Sequence, residues 1–278
     1  MKIITHKIQE GLATTYTDGE IKALTRILAT ELLGVSQMAY YLKDNITLSA
    51  EQQSLLDNAI ERLKKQEPIQ YILGYSDFCG LRFKVTPATL IPRPETSELV
   101  EWVASEATDR ERILDIGTGS GCIAVSLAHK IPQSKVTAWD ISSNALAVAA
   151  ENSKTNGCTV TFEQVDILAH QPTGEQFDII VSNPPYIKEN EKEAMHANVL
   201  DWEPHTALFV PDSDPLLFYC TIAKKGLLIL KPGGRLYFEI NRAHGKETME
   251  ILTALGYTSI ELRKDFAEND RMIRAVKL

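Results

Sequence analysis

Asn183-Pro184-Pro185-Tyr186 ends an apolar run built on Phe177, Ile179, Ile180 and Val181. The run reads as a buried strand. Two successive prolines fix φ and remove two backbone donors, so the strand stops there and the turn after it is stiff. An Asn side chain and exposed carbonyl oxygens are left at the strand's carboxyl end, with an aromatic ring three residues on. Open α/β sheets hold their ligands in that crevice. Such a corner offers acceptors to an NH2 group and a flat wall beside it. Asn-Pro is also ordinary strand punctuation, and the remaining residues have to decide between the two.

A second cluster bears on that choice. Arg112-Ile113-Leu114-Asp115-Ile116 runs into Gly117-Thr118-Gly119-Ser120-Gly121: a strand, a glycine-rich turn and a helix start. Glycines let the backbone turn sharply and approach a ligand closely. The G-x-G-x-G spacing is not the usual dinucleotide fingerprint. Asp115, just before the loop, would repel a pyrophosphate and attract an ammonium group. Asp140 ends the strand Val136-Thr137-Ala138-Trp139-Asp140. An acidic residue at that distance beyond the glycines can accept from ribose hydroxyls. It can also cap the following helix, a task open to Ser142 or Ser143 as well. Asp166, closing Gln164-Val165-Asp166, can accept from an exocyclic adenine amine while Ile167 and Leu168 pack on the base; alone, such a residue is a common turn former. Three acidic strand ends, a glycine loop and Asn-Pro-Pro-Tyr together describe a site for an adenosine carrying a positively charged amino-acid tail, which is S-adenosylmethionine.

These residues need a frame that brings strand ends together. From residue 112 onward strands are expected near 112–116, 135–140, 159–165, 177–182 and 235–240, and helices near 120–130, 143–156, 214–230 and 246–255. Alternation of this kind predicts a parallel sheet with helices on both faces. Tyr257–Leu262 and Met272–Val276 have no helix between them and should pair antiparallel at one edge. Upstream, residues 1 to about 67 read as helices. Ile21, Leu24, Leu28 and Leu32 form one apolar stripe, which Gly34 stops. Ser36 is placed to cap a short helix through Met38, Tyr40 and Tyr41. Ser49-Ala50-Glu51-Gln52 has the form of a capping box ahead of a stripe of Leu55, Leu56, Ala59, Ile60 and Leu63. This small bundle is either a substrate-recognition module or a stabilising cap. Between the two regions, prolines and glycines punctuate short β-like pieces such as Leu81–Val85. Pro92 and Pro94 then lead into a helix over 97–107. Thr96 is the expected cap of that helix, in preference to a charged lid made by Arg93 and Glu95.

Composition narrows the classes. The 278-residue chain is 44% hydrophobic and 24% charged, ordinary for a globular protein. Its net charge of −8 disfavours a main task of gripping nucleic acid, which calls for a basic face. The four cysteines (Cys79, Cys122, Cys158, Cys220) are scattered and suggest neither disulfides nor zinc. None of the six histidines stands in a metal-binding spacing, so no metal is expected. The acidic run Glu189–Glu193 reads as solvated loop bordering the substrate mouth. No apolar stretch reaches the ~18 residues that span a bilayer, and MKIITHKIQEGL lacks the apolar core of a signal peptide. A cytoplasmic location is expected.

DIGTGSG, Asp140 and NPPY resemble class I S-adenosylmethionine-dependent methyltransferases that modify planar nitrogens. Further stretches narrow the likeness: Pro68–Gly74 (PIQYILG), Leu90–Thr96 (LIPRPET), Trp202-Glu203-Pro204 with Ala207-Leu208, and Asn269-Asp270-Arg271. With these, essentially the whole chain resembles the peptide chain release factor glutamine methyltransferases, the PrmC (HemK) family. The resemblance implies an α/β, Rossmann-like class I methyltransferase sheet, mostly parallel with an antiparallel last strand, behind a small N-terminal helical bundle. The expected domains are 1–73 for substrate recognition, a β-hairpin linker over 74–91, and the methyltransferase domain over 92–278. It further implies methyl transfer to the side-chain amide nitrogen (N5) of the GGQ glutamine in class 1 release factors, with S-adenosylhomocysteine as product. Asp115, Gly117, Thr118, Gly119, Ser120, Gly121, Asp140, Asp166, Ile167 and Asn183 would hold the cofactor. Asn183, Pro184, Pro185 and Tyr186 would bind the glutamine amide and carry catalysis. Some relatives have an aromatic after Asp166, where this chain has Ile167 and Leu168, so apolar packing is what the resemblance still implies there. A monomer with no direct nucleic-acid contact is expected.

Three rivals stand beside this reading. A nucleic-acid adenine or cytosine methyltransferase uses a similar box on a flipped base, but would need a basic recognition surface. A nicotinamide-dependent dehydrogenase would set its pyrophosphate beside Asp115 and leave NPPY without a role. A non-catalytic module that senses the cofactor would bind without turnover.

Overall fold

The computed structural model describes residues 1–42, 46–172, 174 and 176–278. These fall into two compact units, Met1–Gly74 with His196–Trp202, and Tyr75–Met195 with Glu203–Leu278.

The first unit is helical: α1 (Lys2–Leu12), α2 (Asp18–Ile27), α3 (Gln37–Leu42), α4 (Ala50–Lys64) and α5 (Ile69–Leu73). The Ser49–Gln52 capping box forms: Gln52 N donates to Ser49 Oγ (3.1 Å) and Ser49 N to Gln52 Oε1 (3.0 Å). A second box, Thr17 with Glu20, starts α2. Ile4, Ile8 and Leu12 of α1 meet Ile21 and Leu24 of α2 and Leu56, Ile60 and Leu63 of α4 in one core. Burying each such side chain stabilises the bundle by about 1.5–3 kcal/mol. Two stripe assignments need correction. Leu55 is 45% exposed, because Leu56, Ala59, Ile60 and Leu63 already complete the inward face and Leu55 lies about 100° round the helix from it. At Leu28–Leu32 the helix widens into a π-turn, with Leu33 N bonding Leu28 O at 3.0 Å. That turn shifts the phase, so Leu33 is buried where the spacing selects Leu32. Gly34, in the left-handed region (φ +69°), follows as the expected stop.

The second unit opens with an antiparallel hairpin, β1 (Tyr75–Phe78) and β2 (Leu81–Lys84), followed by α6 (Pro94–Glu106). Strands and helices then alternate: β3 (Arg112–Ile116), α7 (Cys122–Lys130), β4 (Lys135–Asp140), α8 (Ser143–Thr155), β5 (Val160–Gln164) and β6 (Phe177–Ser182). Beyond them lie β7 (Ile187–Lys188), α9 (Ala197–Leu200, in the first unit), β8 (Phe209–Val210), α10 (Leu217–Ile229), β9 (Leu230–Glu239), α11 (Gly245–Ala254), β10 (Tyr257–Lys264) and β11 (Asp270–Lys277).

Seven of these strands form one sheet in the order β10-β11-β9-β6-β3-β4-β5. The β3/β4, β3/β6, β4/β5 and β6/β9 pairs are parallel, and β11 runs antiparallel to β9 and β10. Neighbouring residues on a strand face opposite sides. Ile113, Val136, Ile179 and Val181 therefore pack on one side with Leu99 and Val103 of α6 and Leu127 of α7. Leu114, Ile116, Ile180 and Phe238 pack on the other with Tyr219 and Ile222 of α10 and Leu252 of α11. Coverage on both faces explains why β3 and β6 read as continuous apolar runs. One buried amide ties the hairpin into this unit. Asn152 Oδ1 accepts from Lys84 N (2.7 Å), while its Nδ2 donates to Lys84 O (3.0 Å) and Ser120 O (2.8 Å).

Candidate active site

Chain order leaves β3 toward β4 and β5 on one side and toward β6 and β9 on the other, so a switch point lies between β3 and β6. Ligands bind beyond the carboxyl ends of strands at such a point. The glycine loop follows β3 and Asn183 follows β6, and Ser182 Oγ donates to Ile116 O (2.6 Å) between the two ends.

The glycine loop is held by the next strand. Gly117 N and Thr118 N donate to Trp139 O, and Gly119 N donates to Asp140 Oδ2 (2.8 Å). Gly117 (φ +76°) and Gly119 (φ +55°) take left-handed backbone, and a Cβ on either would meet nothing within 4 Å. The open space beside them leaves the loop backbone able to approach a ligand closely. Gly121 differs: a Cβ there would come within 3.0 Å of Ala149 Cβ on α8, so it serves helix packing.

Asp115 is fully buried; its Oδ2 accepts from Thr118 Oγ1 (2.6 Å) and its Oδ1 has no partner. Burial pushes its carboxyl up to about 7, against the Thr118 hydroxyl and the nearby Ala124 amide, and the charge of Asp140 adds to the rise. A buried, unsatisfied carboxylate oxygen is costly unless a donor or cation reaches it. This donor set fits the cationic amino-acid tail of S-adenosylmethionine. Asp140 accepts from Gly119 N and Ser142 N (2.8 Å), and Ser142 caps α8. Its remaining lone pairs are free for hydroxyl donors; burial raises its pKa although Ser142, Gly119 and Ile141 amides oppose the rise.

The segment after β5 is tied to the same strand end by Val165 N to Asp140 O (2.9 Å). β5 itself stops at Gln164, so Asp166 stands in a turn and not at the strand end, its Oδ1 accepting from Leu168 N (2.8 Å). Ile167 is buried and Leu168 exposed. Lys225 of α10 closes the turn, donating to the carbonyls of Ile167 (2.5 Å), Leu168 (3.0 Å) and His170 (2.5 Å).

At the β6 corner Asn183 Nδ2 donates to Thr96 Oγ1 (3.3 Å), and Thr96 Oγ1 donates to Glu239 Oε2 (2.6 Å). Tyr186 OH donates to the other oxygen of Glu239 (3.3 Å). Burial of the Tyr186 phenol raises its pKa, as does the charge of Glu239, so it remains a donor. Burial also raises the pKa of Glu239 itself, opposed by Thr96, by the charge of Arg271 and by Tyr186. Asn241 Nδ2 donates to Tyr186 O (3.2 Å), and β7 pairs with β8, fixing the chain as it leaves the box.

The expected Thr96 cap is overturned. Arg93 is the N-cap of α6 with Pro94 in the first turn, where a missing N–H costs nothing, and the Thr96 hydroxyl turns inward. Arg93 does not stand free either: it pairs with the buried carboxylate of Glu203 (2.5 Å), which also accepts from Ile91 N (3.1 Å). Glu239 and Lys225 escape a local reading, and Glu203 enters it only within the stretch Trp202-Glu203-Pro204. Glu239 does leave a sequence signal, a charge inside the apolar run Leu236-Tyr237-Phe238-Glu239-Ile240. A cavity of about 900 Å³ elsewhere, lined by Lys135, Thr137 and Trp139 of β4 and Thr161 and Glu163 of β5, holds none of the candidate residues. Among the described residues no cluster of His, Cys, Asp and Glu is arranged to hold a metal.

Comparison with known proteins agrees with this arrangement. Residues 95–201 match the Methyltransferase small domain and residues 7–74 the PrmC N-terminal domain. The chain is 50% identical to a release factor glutamine methyltransferase of Bacteroides thetaiotaomicron over 99% of both chains. It is 44% identical to one of Flavobacterium psychrophilum over 95% of both, and 36% identical to one of Geobacter sulfurreducens over 90% of this chain and 87% of that one. In fold it is similar to a methyltransferase from Pyrococcus furiosus (TM-score 0.54, 17% identity, 82% of this chain and 99% of that one). It is also similar to a SAM-dependent O-methyltransferase from Thermotoga maritima (TM-score 0.50, 20% identity, 68% and 67%).

Proposed function

Because the chain belongs to the release factor glutamine methyltransferase family, we propose that it methylates the side-chain amide nitrogen (N5) of the GGQ glutamine in class 1 peptide chain release factors. The observation that carries this reading is the orientation of Asn183: its NH2 is engaged by Thr96, which leaves Oδ1 as an acceptor at the carboxyl end of β6.

A neutral amide nitrogen is a poor nucleophile, because its lone pair is delocalised into the carbonyl. It needs orientation more than a strong base. Asn183 Oδ1 and the Pro184 carbonyl each accept one N–H of the glutamine amide, which turns the remaining lone pair outward. When bound, S-adenosylmethionine supplies an electrophilic methyl group. Positive charge then grows on the nitrogen, and the same two acceptors stabilise it. The methylated amide loses a strongly acidic proton to water, so the site needs no dedicated base. Tyr186, its hydroxyl held by Glu239, packs its ring against the flat amide. Gly117, Thr118 and Gly119 cradle the cofactor's methionine portion, with Asp115 answering its ammonium charge. Asp140 takes the ribose hydroxyls, and Asp166 with Ile167 the adenine edge.

The helical unit is assigned to recognition of the release factor, and the hairpin over 74–91 to the link with the methyltransferase domain. A release-factor substrate places the work in the cytoplasm. Among the described residues no helix is long and apolar enough to cross a membrane. The test is methyl transfer from labelled cofactor to a purified release factor, run beside DNA and RNA. Label should enter the GGQ factor and not its GGA variant; label entering nucleic acid instead would refute the assignment.

A further inference from the structure

Thr96 and Glu239 do more than fill space beneath the Asn-Pro-Pro-Tyr corner. Glu239 is 1% exposed and Thr96 2%, yet both oxygens of the one and the hydroxyl of the other are hydrogen-bonded. Buried polar groups this well paired are stiff, because each broken bond leaves an unsatisfied group away from water.

The direction of the bonds matters. An ionised carboxylate only accepts, whereas a hydroxyl has one hydrogen to give and lone pairs to receive. The Thr96 hydrogen is committed to Glu239 at 2.6 Å, so Thr96 can only accept from its other neighbour. That neighbour is Asn183, at 3.3 Å. A carboxamide has a donor end and an acceptor end of nearly equal shape, and the surrounding network decides which way it points. Here the donor end must face Thr96, because the reversed amide would set two acceptors against each other. Arg271 supports the carboxylate state: it is anchored by Asp265 Oδ2 (3.0 Å) and Ile240 O (3.3 Å), and its charge acts on Glu239.

We propose that Glu239, acting through Thr96, sets the polarity of the Asn183 carboxamide and so makes the site select a side chain that donates hydrogen bonds, a carboxamide, over one that only accepts, a carboxylate. Glu239 and Thr96 are positioning residues, and the inference rests on the role given to Asn183 above. With Oδ1 facing outward, a glutamine NH2 finds an acceptor, while a glutamate of the same shape sets its oxygen against another oxygen. Sites built on such matched buried pairs discriminate far more strongly than sites that sense size alone.

The experiment uses the full-length protein with release factor carrying either GGQ or GGE. Turnover on the GGQ factor, inhibition by the GGE factor and cofactor dissociation constants are measured for wild type, Thr96→Val and Thr96→Ser. Thr96→Val removes the acceptor and frees Asn183 to rotate. It should lower kcat about a hundredfold, leave cofactor affinity within about twofold, and cut the preference for GGQ over GGE by roughly tenfold or more. Thr96→Ser keeps the hydroxyl and should restore both turnover and preference. If Thr96→Val does not fold, Thr96→Ala removes the hydroxyl without adding bulk and carries the same expectation. A GGQ-to-GGE preference unchanged by loss of the hydroxyl overturns the positioning role, whatever happens to the rate. Wild-type protein that leaves the GGQ factor unmethylated overturns the functional reading itself, and this inference with it.

Discussion

The Lys225 ammonium lies 2.5 Å from the carbonyl oxygen of Ile167, which places a helix cation under the turn assigned to the adenine edge. With the Leu168 and His170 carbonyls it makes three charge-assisted bonds to one short segment. Lys225→Met keeps the stem and removes all three. Cofactor affinity should fall about 5- to 30-fold, on the order of 1–2 kcal/mol for bonds to a charged group, with kcat at saturating cofactor unchanged. Calorimetric titration beside steady-state kinetics would detect it; unchanged affinity would deny the lysine this role.

The role proposed for Asp115, answering the ammonium charge of the cofactor, carries a pH dependence. Its carboxyl is raised to about 7 from 3.8, chiefly by burial, so the free protein holds a proton there that the unfolded chain releases at much lower pH. The stability from that proton is complete below pH 3.8 and is lost as pH rises through about 7. A cationic ligand favours the ionised form. Cofactor affinity should therefore rise about tenfold between pH 6 and pH 8, and Asp115→Asn should bind weakly with a flat profile.

Glu106 contributes to acid stability. Burial alone would raise its pKa, but hydrogen bonds from Arg274, Tyr237 and Trp102 outweigh that and hold it at about 2, below the ordinary 4.5. Its contribution is present above pH 4.5, on the order of 3 kcal/mol, and is lost as pH falls toward 2. Glu106→Gln should flatten this part of the acid-unfolding curve and lower stability at pH 7, as read by denaturant titration at a series of pH values.

The glycines of the loop should separate by substitution. Alanine at Gly121 meets Ala149 at 3.0 Å in left-handed backbone and should cost about 2–4 kcal/mol of stability. Alanine at Gly119 meets open space. It should cost about 1–2 kcal/mol for the backbone alone while weakening cofactor affinity disproportionately. Thermal melts with and without cofactor distinguish the two.

Asn183→Ala removes one of the two proposed acceptors. Turnover should drop a hundredfold or more, about 3 kcal/mol, while the variant still binds cofactor. Near-normal turnover would dismiss Asn183 from the reaction.

How much of this was readable in advance depended on the range over which each signal acts. The glycine loop, the Ser49–Gln52 capping box and the strand–helix alternation are local patterns, and all three form where the spacing puts them. β10 and β11 also pair antiparallel at one edge of the sheet, as the missing helix between them required. The Thr96–Glu239 bond spans 143 residues, and nothing local at either end announces the other. Thr96 in a proline-led first helical turn imitates a cap, and only the fold shows its hydroxyl turned inward. Leu55 and Leu32 fail for a different reason: a regular 3.6-residue repeat ignores a crowded stripe and a π-turn.

Asn152 carries a mechanical consequence. Three bonds from one amide clamp the end of the hairpin and the last turn of the glycine loop. A substitution that removes this amide therefore releases the hairpin end and the glycine-loop backbone at Ser120 together, so damage at one is expected to be felt at the other.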